Sequence, residues 1–276
     1  MLTGCETAPV AATGTVPVAL TIASSDSGGG AGVQADLKAF ARCGVHGLSA
    51  IVALTAQNTM GVTAIHECPP EFVAAQLEAV FADLPPQAVK TGMLFSAPII
   101  RTVATGLAGR QLPFVLDPVM IASSGARLLR EDAVQALVET LFPLATVITP
   151  NLMEAQALTG LDTEDRPRLA EALVALGARA ALVTGGHGRH PVDHLLAGGE
   201  HLPIPVRRYP VPAAHGAGCT HSAALAACLA RGASLPVAAR QAAEVASAAV
   251  SAGLTELGSG DGPVDALGIR ERRPPT

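Results

Sequence analysis

A cysteine stands where a glycine-rich turn meets an apolar helical segment, in the stretch HGAGCTHSAALAACLARG at residues 215–232. The first N–H groups of a helix have no acceptor within it, so the amides of residues 217–220 are predicted to converge on an anion. Phosphoryl transfer needs fixed donors of this kind. The helix dipole would lower the pKa of the Cys219 thiol and let it take a proton from an alcohol. The alternative is that Cys219 is a small hydrophobic side chain packed under the helix.

A second glycine-rich segment, SSDSGGGAG at residues 24–32, follows an apolar run and precedes a helix predicted from about Val33. Glycines let the backbone approach a ligand closely. The segment matches neither GxGxxG with a later acid nor GxxxxGK[ST], which argues against a Rossmann dinucleotide site and a P-loop. Asp36, one turn further on, is read from the pattern as a first-turn acid that complements the helix dipole.

Carboxylates and amides follow other apolar runs. Gln57, in LTAQNTMG, carries an amide that could read the edge of a heterocycle or serve in a turn. Asp117 follows a strand in LDPVM, and TPNLMEA contains Asn151 and Glu154. Glu154 could hold a hydrated Mg²⁺ against phosphate oxygens, or it could form a capping box with Asn151. The spacing fits both.

The elements that must position these residues alternate along the chain. Short runs that are apolar on both faces predict strands of a parallel sheet, at residues 18–24, 48–54, 87–92, 113–117, 146–150 and 180–186. Segments with apolar residues three and four apart predict helices between them. Repeated βαβ units give a three-layer α/β/α fold with a mostly parallel central sheet. A hairpin around Gly198 and Gly199 should follow at residues 192–206, then helices at 218–231 and 234–253.

Six residues fall at or just past predicted strand ends: Asp26, Gln57, Gly92, Asp117, Asn151 and Gly185. In an open α/β sheet this edge binds ligands, so the active site is expected there. Turn formation alone would also place Asp, Asn and Gly at such positions, but several together favour a site.

Composition narrows the class of protein. The 276 residues carry a formal charge of −5 and only 3% aromatic residues, which disfavours nucleic acid as a partner. No apolar run has the length of a membrane span. Five scattered cysteines suit a reducing cytoplasm. We expect residues 1–17 to be a disordered tail and residues 18–270 one domain. Four histidines, expected at the surface rather than on a metal, are His187, His190, His194 and His201.

The motifs, taken in order, resemble a known family. The segment ALTIASSDSGGGAGVQADLKAFARCGVHGLSAIVALTAQNT, with KTGML, DPVM, TPN, GGH and HGAGCT, is similar to the hydroxymethylpyrimidine/phosphomethylpyrimidine kinases of thiamine biosynthesis over residues 18–265. The resemblance implies the ribokinase-like fold and ATP-dependent phosphorylation of 4-amino-5-hydroxymethyl-2-methylpyrimidine and then of its monophosphate. It further implies Mg²⁺ and a cytoplasmic homodimer.

The same resemblance assigns roles to residues. The catalytic turn would comprise Gly216, Ala217, Gly218 and Cys219, with Cys219 where related sugar kinases have an Asp base. Pyrimidine-binding positions would be Ala31, Asp36, Gln57 and Met93. ATP and phosphate positions would be Asp117, Asn151, Glu154, Thr184, Gly186 and Thr220, with Asp117 and Glu154 at the metal.

The chain also departs from the family pattern. Ser123 and Thr184 replace two lysines, Ala213 and Ala214 replace an Asn and a hydroxyl residue, and Ser24 replaces a Gly. A lost electrostatic donor commonly costs a few kcal/mol of barrier. Lysine or arginine side chains elsewhere could take the place of the lysines, and the candidates are Lys90, Arg127 and Arg189. Two alternatives therefore stay open, a pyridoxal or pyridoxine kinase and a pyrimidine-binding protein with weakened catalysis.

Overall fold

The computed structural model describes residues 15–120 and 131–271, which contain one nine-stranded sheet in the order β3-β2-β1-β4-β5-β6-β7-β8-β9. Most of the predicted N-terminal tail, together with Ser123 and Arg127, lies outside the described residues. The strands are β1 (Val18–Asp26), β2 (His46–Asn58), β3 (Gly61–Glu67), β4 (Ala88–Thr91), β5 (Phe114–Leu116), β6 (Val147–Ile148), β7 (Ala180–Val183), β8 (Val192–Ala197) and β9 (Glu200–Pro205). The helices are α1 (Gly32–Arg42), α2 (Pro70–Asp83), α3 (Ala97–Leu107), α4 (Glu131–Thr140), α5 (Leu152–Thr159), α6 (Arg166–Ala175), α7 (Ala217–Ala230) and α8 (Leu235–Ser251).

The six predicted strands are present and pair in parallel as β2-β1-β4-β5-β6-β7. The predicted hairpin is β8-β9, and both residues of its turn, Gly198 and Gly199, have positive φ. The prediction missed β3, which pairs antiparallel with β2 and has no buried residue. It also missed α6 as an element, because a short helix of mixed composition gives little periodic signal.

Each parallel strand contributes alternate residues to two cores. Ala19, Ala88, Val115 and Val147 face the core formed with α1, α7 and α8. Their neighbours Leu20, Val89, Leu116 and Ile148 face the core formed with α2 to α6. This alternation of side chains between two covered faces gives the expected three layers. The small residues on the first face let the alanine-rich helix α7 lie close to the sheet.

The predicted edge is confirmed by the strand directions. The strands β1, β2, β4, β5, β6 and β7 run the same way, so their carboxyl ends lie at one edge. Asp26 and Gln57 lie within the last residues of their strands, and the other four residues named for this edge follow theirs. Helix α7 begins at this same edge, where Oγ of its Ser222 donates a hydrogen bond to Asp117.

Candidate active site

Asp26 organises the glycine-rich loop between β1 and α1. Its carboxylate accepts hydrogen bonds from the N–H groups of Gly28 at 2.8 Å, Gly30 at 3.0 Å and Ala31 at 2.8 Å. Nε2 of His215 lies 3.0 Å from the same carboxylate. Burial alone would raise the pKa of Asp26, but His215 and the backbone amides hold it below its usual value. Asp26 is therefore an ionised anchor of the loop.

Two glycines let this loop meet the turn before α7. A Cβ on Gly30 would overlap the ring of His215, and a Cβ on Gly216 would overlap the carbonyl oxygen of Gly30. Gly216 also has a φ of 83°, which disfavours other residues. The two glycine-rich stretches of the sequence are thus in direct backbone contact. Sequence reasoning missed His215 as the residue that joins them, although its place before the GAG turn was a usable signal.

The turn at α7 offers fewer free amides than expected. The N–H of Ala217 donates to the carbonyl of Ala214 at 3.0 Å, and that of Thr220 donates to Gly216 at 2.9 Å. Thr220 is the fourth residue of the helix, so its amide closes the first regular turn. Within the described part of the chain, the amides of Gly218 and Cys219 have no acceptor. The prediction of four convergent donors was wrong, and two remain.

The predicted lowering of the pKa of Cys219 was also wrong. Burial raises the pKa of the thiol to about 12, against the effect of Lys90, and the charges of Asp36 and Asp117 raise it further. A hydrogen bond from the N–H of Gly32 opposes this rise. Desolvation and the two carboxylates thus outweigh Lys90 and the Gly32 amide, and they set the direction of the shift. Cys219 is a neutral thiol in the ligand-free protein at pH 7, although part of the residue reaches the surface.

Asp36 and Lys90 form a buried ion pair. Nζ of Lys90 lies 2.8 and 2.9 Å from the two carboxylate oxygens of Asp36, and Oγ1 of Thr21 donates to Asp36 at 2.6 Å. Both side chains have 0% exposure. Asp36 is in the second turn of α1, so the first-turn interpretation was wrong. Lys90 cannot replace a phosphate-facing lysine without leaving Asp36. Asp36 itself is fully buried, so it lies below the protein surface rather than on it.

Asp117 and Glu154 lie together at the edge of the sheet. Oγ of Ser222, one turn after Cys219, donates to Asp117 at 2.8 Å, which joins α7 to the end of β5. Burial raises the pKa of both carboxyl groups, and Lys90 opposes this rise at Asp117. The charge of Asp117 raises the pKa of Glu154 further, to about 8. Two desolvated carboxylates that repel each other suit a hydrated Mg²⁺, which needs one or two carboxylates and keeps its waters. No cluster of three or more His, Cys, Asp or Glu side chains suited to a metal occurs in the described ranges.

The capping box is present as well. Oδ1 of Asn151 accepts the N–H of Glu154 at 3.0 Å, and Oε2 of Glu154 accepts the N–H of Asn151 at 2.9 Å. The other oxygen of Glu154 accepts the amide of Met120 at 3.4 Å. The capping role and the position beside Asp117 are compatible, because the cap fixes where the carboxylate lies.

The remaining predicted pyrimidine-binding residues lie around the β1–α1 loop. Nε2 of Gln57 lies 3.3 Å from Nε2 of His215, and Oε1 accepts a hydrogen bond from Oγ1 of Thr55 at 3.1 Å. Ala31 is half-buried and anchored to Asp26. Met93 is buried, and its carbonyl accepts a hydrogen bond from Oγ of Ser24 at 3.0 Å. The Ser24 hydroxyl is thus used inside the protein.

The predicted ATP residues Thr184 and Gly186 lie on the loop after β7. The N–H of Thr184 donates to the carbonyl of Pro150 at 3.0 Å, which places this loop beside Asn151. Gly186 is exposed. The hydroxyl of Thr220 is buried and has no partner in the described part of the chain. Arg189 is exposed, and its backbone amide donates to Glu164 at 2.8 Å.

The histidines are mostly at the surface, as expected, with one exception. His187, His190 and His201 are exposed, whereas His194 on β8 is buried. Nε2 of His194 lies 2.8 Å from Nδ1 of His201. The expectation that His194 is a surface residue was wrong, because β8 is an inner strand covered by α6 and α8.

Solved structures with this fold define the class as ribokinase-like kinases. The crystal structure of phosphomethylpyrimidine kinase from Clostridium difficile 630 matches with a TM-score of 0.73 and 39% identity, over 82% of this chain and 96% of that one. An ADP complex of Bacillus subtilis pyridoxal kinase matches with a TM-score of 0.85 and 37% identity, over 93% and 99%. Within residues 15–120 and 131–271, no helix is long and apolar enough to cross a membrane.

The sequence comparison defines the family. Hydroxymethylpyrimidine/phosphomethylpyrimidine kinase of Rhizobium meliloti (strain 1021) is 49% identical over 90% of this chain and 96% of its own length. The family model described as phosphomethylpyrimidine kinase matches residues 26–265. The chain belongs to the phosphomethylpyrimidine kinase family, and it is a phosphotransferase of thiamine biosynthesis.

Proposed function

We propose that this chain transfers the γ-phosphoryl group of ATP to the hydroxymethyl oxygen of 4-amino-5-hydroxymethyl-2-methylpyrimidine, and then phosphorylates the monophosphate. The observation that carries the proposal is the hydrogen bond from Ser222 to Asp117, 2.8 Å long. It fixes the helix that bears the free amides of Gly218 and Cys219 against the edge that bears the carboxylates. The donors for a phosphoryl group and the candidate metal ligands are thereby held by one contact.

The pyrimidine would lie against the β1–α1 loop. Gln57 carries an amide that can exchange its contact with His215 for the edge of a heterocycle. Ala31 and Met93 would contact the ring. Asp36, paired with Lys90, would lie beneath this part of the site. The hydroxymethyl group would point to Cys219, next to the free amides.

The nucleotide would lie over the ends of β5, β6 and β7. Asp117 and Glu154 would hold Mg²⁺, which supplies charge neutralisation on phosphate oxygens when bound. Asn151, Thr184, Gly186 and the Thr220 hydroxyl would line the phosphates. The ADP complex of the Bacillus subtilis pyridoxal kinase supports nucleotide binding at this fold.

The neutral state of Cys219 shapes the chemistry. A thiol with a pKa of about 12 is almost wholly protonated at pH 7. A thiol that keeps its own proton cannot accept one from the substrate alcohol, so Cys219 would act as a base only from its small thiolate fraction, after its own proton has passed to solvent. In a loose transition state the alcohol becomes acidic late, so a weakly populated base is compatible with turnover.

A second candidate activity is the phosphorylation of pyridoxal or pyridoxine. It is favoured by the match to a pyridoxal kinase with a TM-score of 0.85 over 93% of this chain. The test is a product assay with ATP and Mg²⁺ and one alcohol at a time: the hydroxymethylpyrimidine, its monophosphate, pyridoxal and pyridoxine. Conversion of the pyrimidine to its mono- and then diphosphate is expected. A higher kcat/KM for pyridoxal than for the hydroxymethylpyrimidine would overturn the proposal.

The same preparation tests the weakened-catalysis alternative. Calorimetry with the pyrimidine and with ADP separates binding from turnover. Pyrimidine binding without ATP consumption would favour a protein that binds but does not phosphorylate. We further propose a homodimer in the cytoplasm, which light scattering on the purified chain and fractionation of cells address.

A further inference from the structure

Arg208 hydrogen-bonds to the loop after β7, defined here as residues 184–190. Its Nη2 donates to the carbonyls of Gly185 at 2.8 Å and His187 at 2.7 Å, and its Nη1 donates to Gly188 at 2.5 Å. Weaker bonds run from Nε to Gly185 at 3.3 Å and from Nη2 to His190 at 3.4 Å. One guanidinium therefore fixes four carbonyls of a single loop.

A second guanidinium holds the same loop from α6. Nε of Arg166 donates to the carbonyl of Thr184 at 3.2 Å, and its Nη2 donates to His187. Arg166 is 4% exposed, and burial, with the charge of Arg208, lowers its pKa. Within the described ranges neither guanidinium has a carboxylate at ion-pair distance. Asp193 and Glu164 act on Arg166 from beyond that distance and oppose the fall of its pKa, so the loop rests on two guanidinium groups that have no direct carboxylate partner within the described ranges.

The carbonyl contacts orient the amides of the loop. A peptide N–H points opposite to the carbonyl of the same unit, so carbonyls of Gly185 and His187 turned to Arg208 send the N–H groups of Gly186 and Gly188 the other way. Neither amide has an acceptor in the described part of the chain. Gly188 has a φ of 79°, and a Cβ there would lie 2.7 Å from Leu152. The amide of Arg189, which is directed in the same way by the carbonyl of Gly188, already donates to Glu164 at 2.8 Å. The amides of Gly186 and Gly188, with cationic charge behind them, are donors of the kind that bind an anion.

A buried carboxylate ties the loop to the catalytic helix. The N–H of Gly185 donates to Oδ1 of Asp193 at 2.6 Å, and Nε2 of His221 lies 3.0 Å from Oδ2 of the same side chain. His221 is two residues beyond Cys219 on α7. The position of the outward amides is therefore fixed relative to the site of transfer.

We infer that Arg208 is a positioning residue for the nucleotide. It holds the loop after β7 so that the amides of Gly186 and Gly188 contact a nucleotide phosphate. With Arg166 it supplies the positive charge that a hydroxyl at Thr184 does not. The inference rests on the proposed function, because it assigns the phosphate-binding side of that site. It does not depend on which alcohol accepts the phosphoryl group.

The test compares Arg208→Gln, Arg208→Lys and the control Arg168→Gln, an exposed residue of α6. ADP binding is measured by calorimetry, and KM for ATP and for the pyrimidine by a coupled assay. We expect R208Q to weaken ADP binding and raise KM for ATP at least tenfold, with KM for the pyrimidine within twofold. R208K should show a smaller loss, since a lysine cannot bond four carbonyls together. R168Q should match the parent protein.

Thermal unfolding separates positioning from stability. Loss of Tm with unchanged ADP affinity in R208Q would overturn the inference and leave Arg208 as a structural residue. Equal losses for ATP and for the pyrimidine would overturn it too. If R208Q does not fold, R208K carries the test through the same ratio of the two KM values. Tight ADP binding by the parent without pyrimidine turnover would overturn the proposed function. The ADP affinities of the variants would still decide the role of Arg208.

Discussion

Replacing Lys90 should show how much the free energy of unfolding depends on the buried ion pair of Lys90 with Asp36. Lys90→Met leaves Asp36 with 0% exposure and only Thr21 as a donor. The carboxyl then has to take up a proton. For an ordinary pKa of 3.8, protonation at pH 7 costs at most about 4.4 kcal/mol, at roughly 1.36 kcal/mol per pH unit. This agrees with the roughly 3–5 kcal/mol found when one partner of a buried pair is removed.

The sign of the pH dependence makes the prediction specific. In Lys90→Met the folded protein holds a proton that the unfolded chain releases above pH 3.8, so stability falls as pH rises, and the deficit shrinks to about 1.6 kcal/mol at pH 5. Asp36→Asn reverses the slope, because Lys90, with an ordinary pKa of 10.5, must give up its proton. That costs at most about 4.8 kcal/mol at pH 7 and less at higher pH. Asp117 lies close enough to Lys90 to reduce this second figure.

The assay is urea unfolding of both variants and of the double variant Asp36→Leu with Lys90→Met, at pH 5, 7 and 9. The double variant should recover most of the loss, since no unpaired charge remains. Glu256→Gln, which breaks the exposed pair with Arg270, is the control and should cost less than about 1 kcal/mol. Equal slopes against pH in the two single variants would refute the account of a buried, fully charged pair.

Three further predictions concern the site. The parent protein should lose stability as pH rises from about 4.5 to 8, because burial and Asp117 raise the pKa of Glu154 to about 8 and the folded state keeps a proton that the unfolded chain releases. Glu154→Gln should remove this loss, and Mg²⁺ should offset it in the parent above pH 8; urea unfolding with and without Mg²⁺ measures both, and a parent whose stability does not change over this range would contradict the prediction. Cys219→Ala should lower kcat by roughly 10²-fold or more with little change in KM for the pyrimidine; unchanged kcat in the coupled assay would show that the thiol only packs. Thr184→Lys should lower KM for ATP a few fold in that assay, and no change would mean that Arg166 and Arg208 already supply the charge.

Patterns local in the sequence determined much of the fold. Apolar runs flanked by turn residues identified the parallel strands, and their common direction placed Asp117 and Asn151 at one edge without further information. The capping box of Asn151 and Glu154 was readable from a spacing of three residues, because it involves one helical turn. Strand β3 was missed, since an exposed edge strand has weak patterning.

The site itself depended on contacts between residues far apart in the sequence. No pattern shows that Lys90 lies against Asp36, 54 residues away, or that Arg208 reaches the carbonyls of residues 185–190. The pKa of Cys219 was misjudged for the same reason: the dipole of its own helix is local, whereas burial and the charges of Asp36 and Asp117 come from other elements. Periodicity reports which face of an element is buried, but desolvation and Coulomb energy depend on three-dimensional distance, which only the tertiary structure decided.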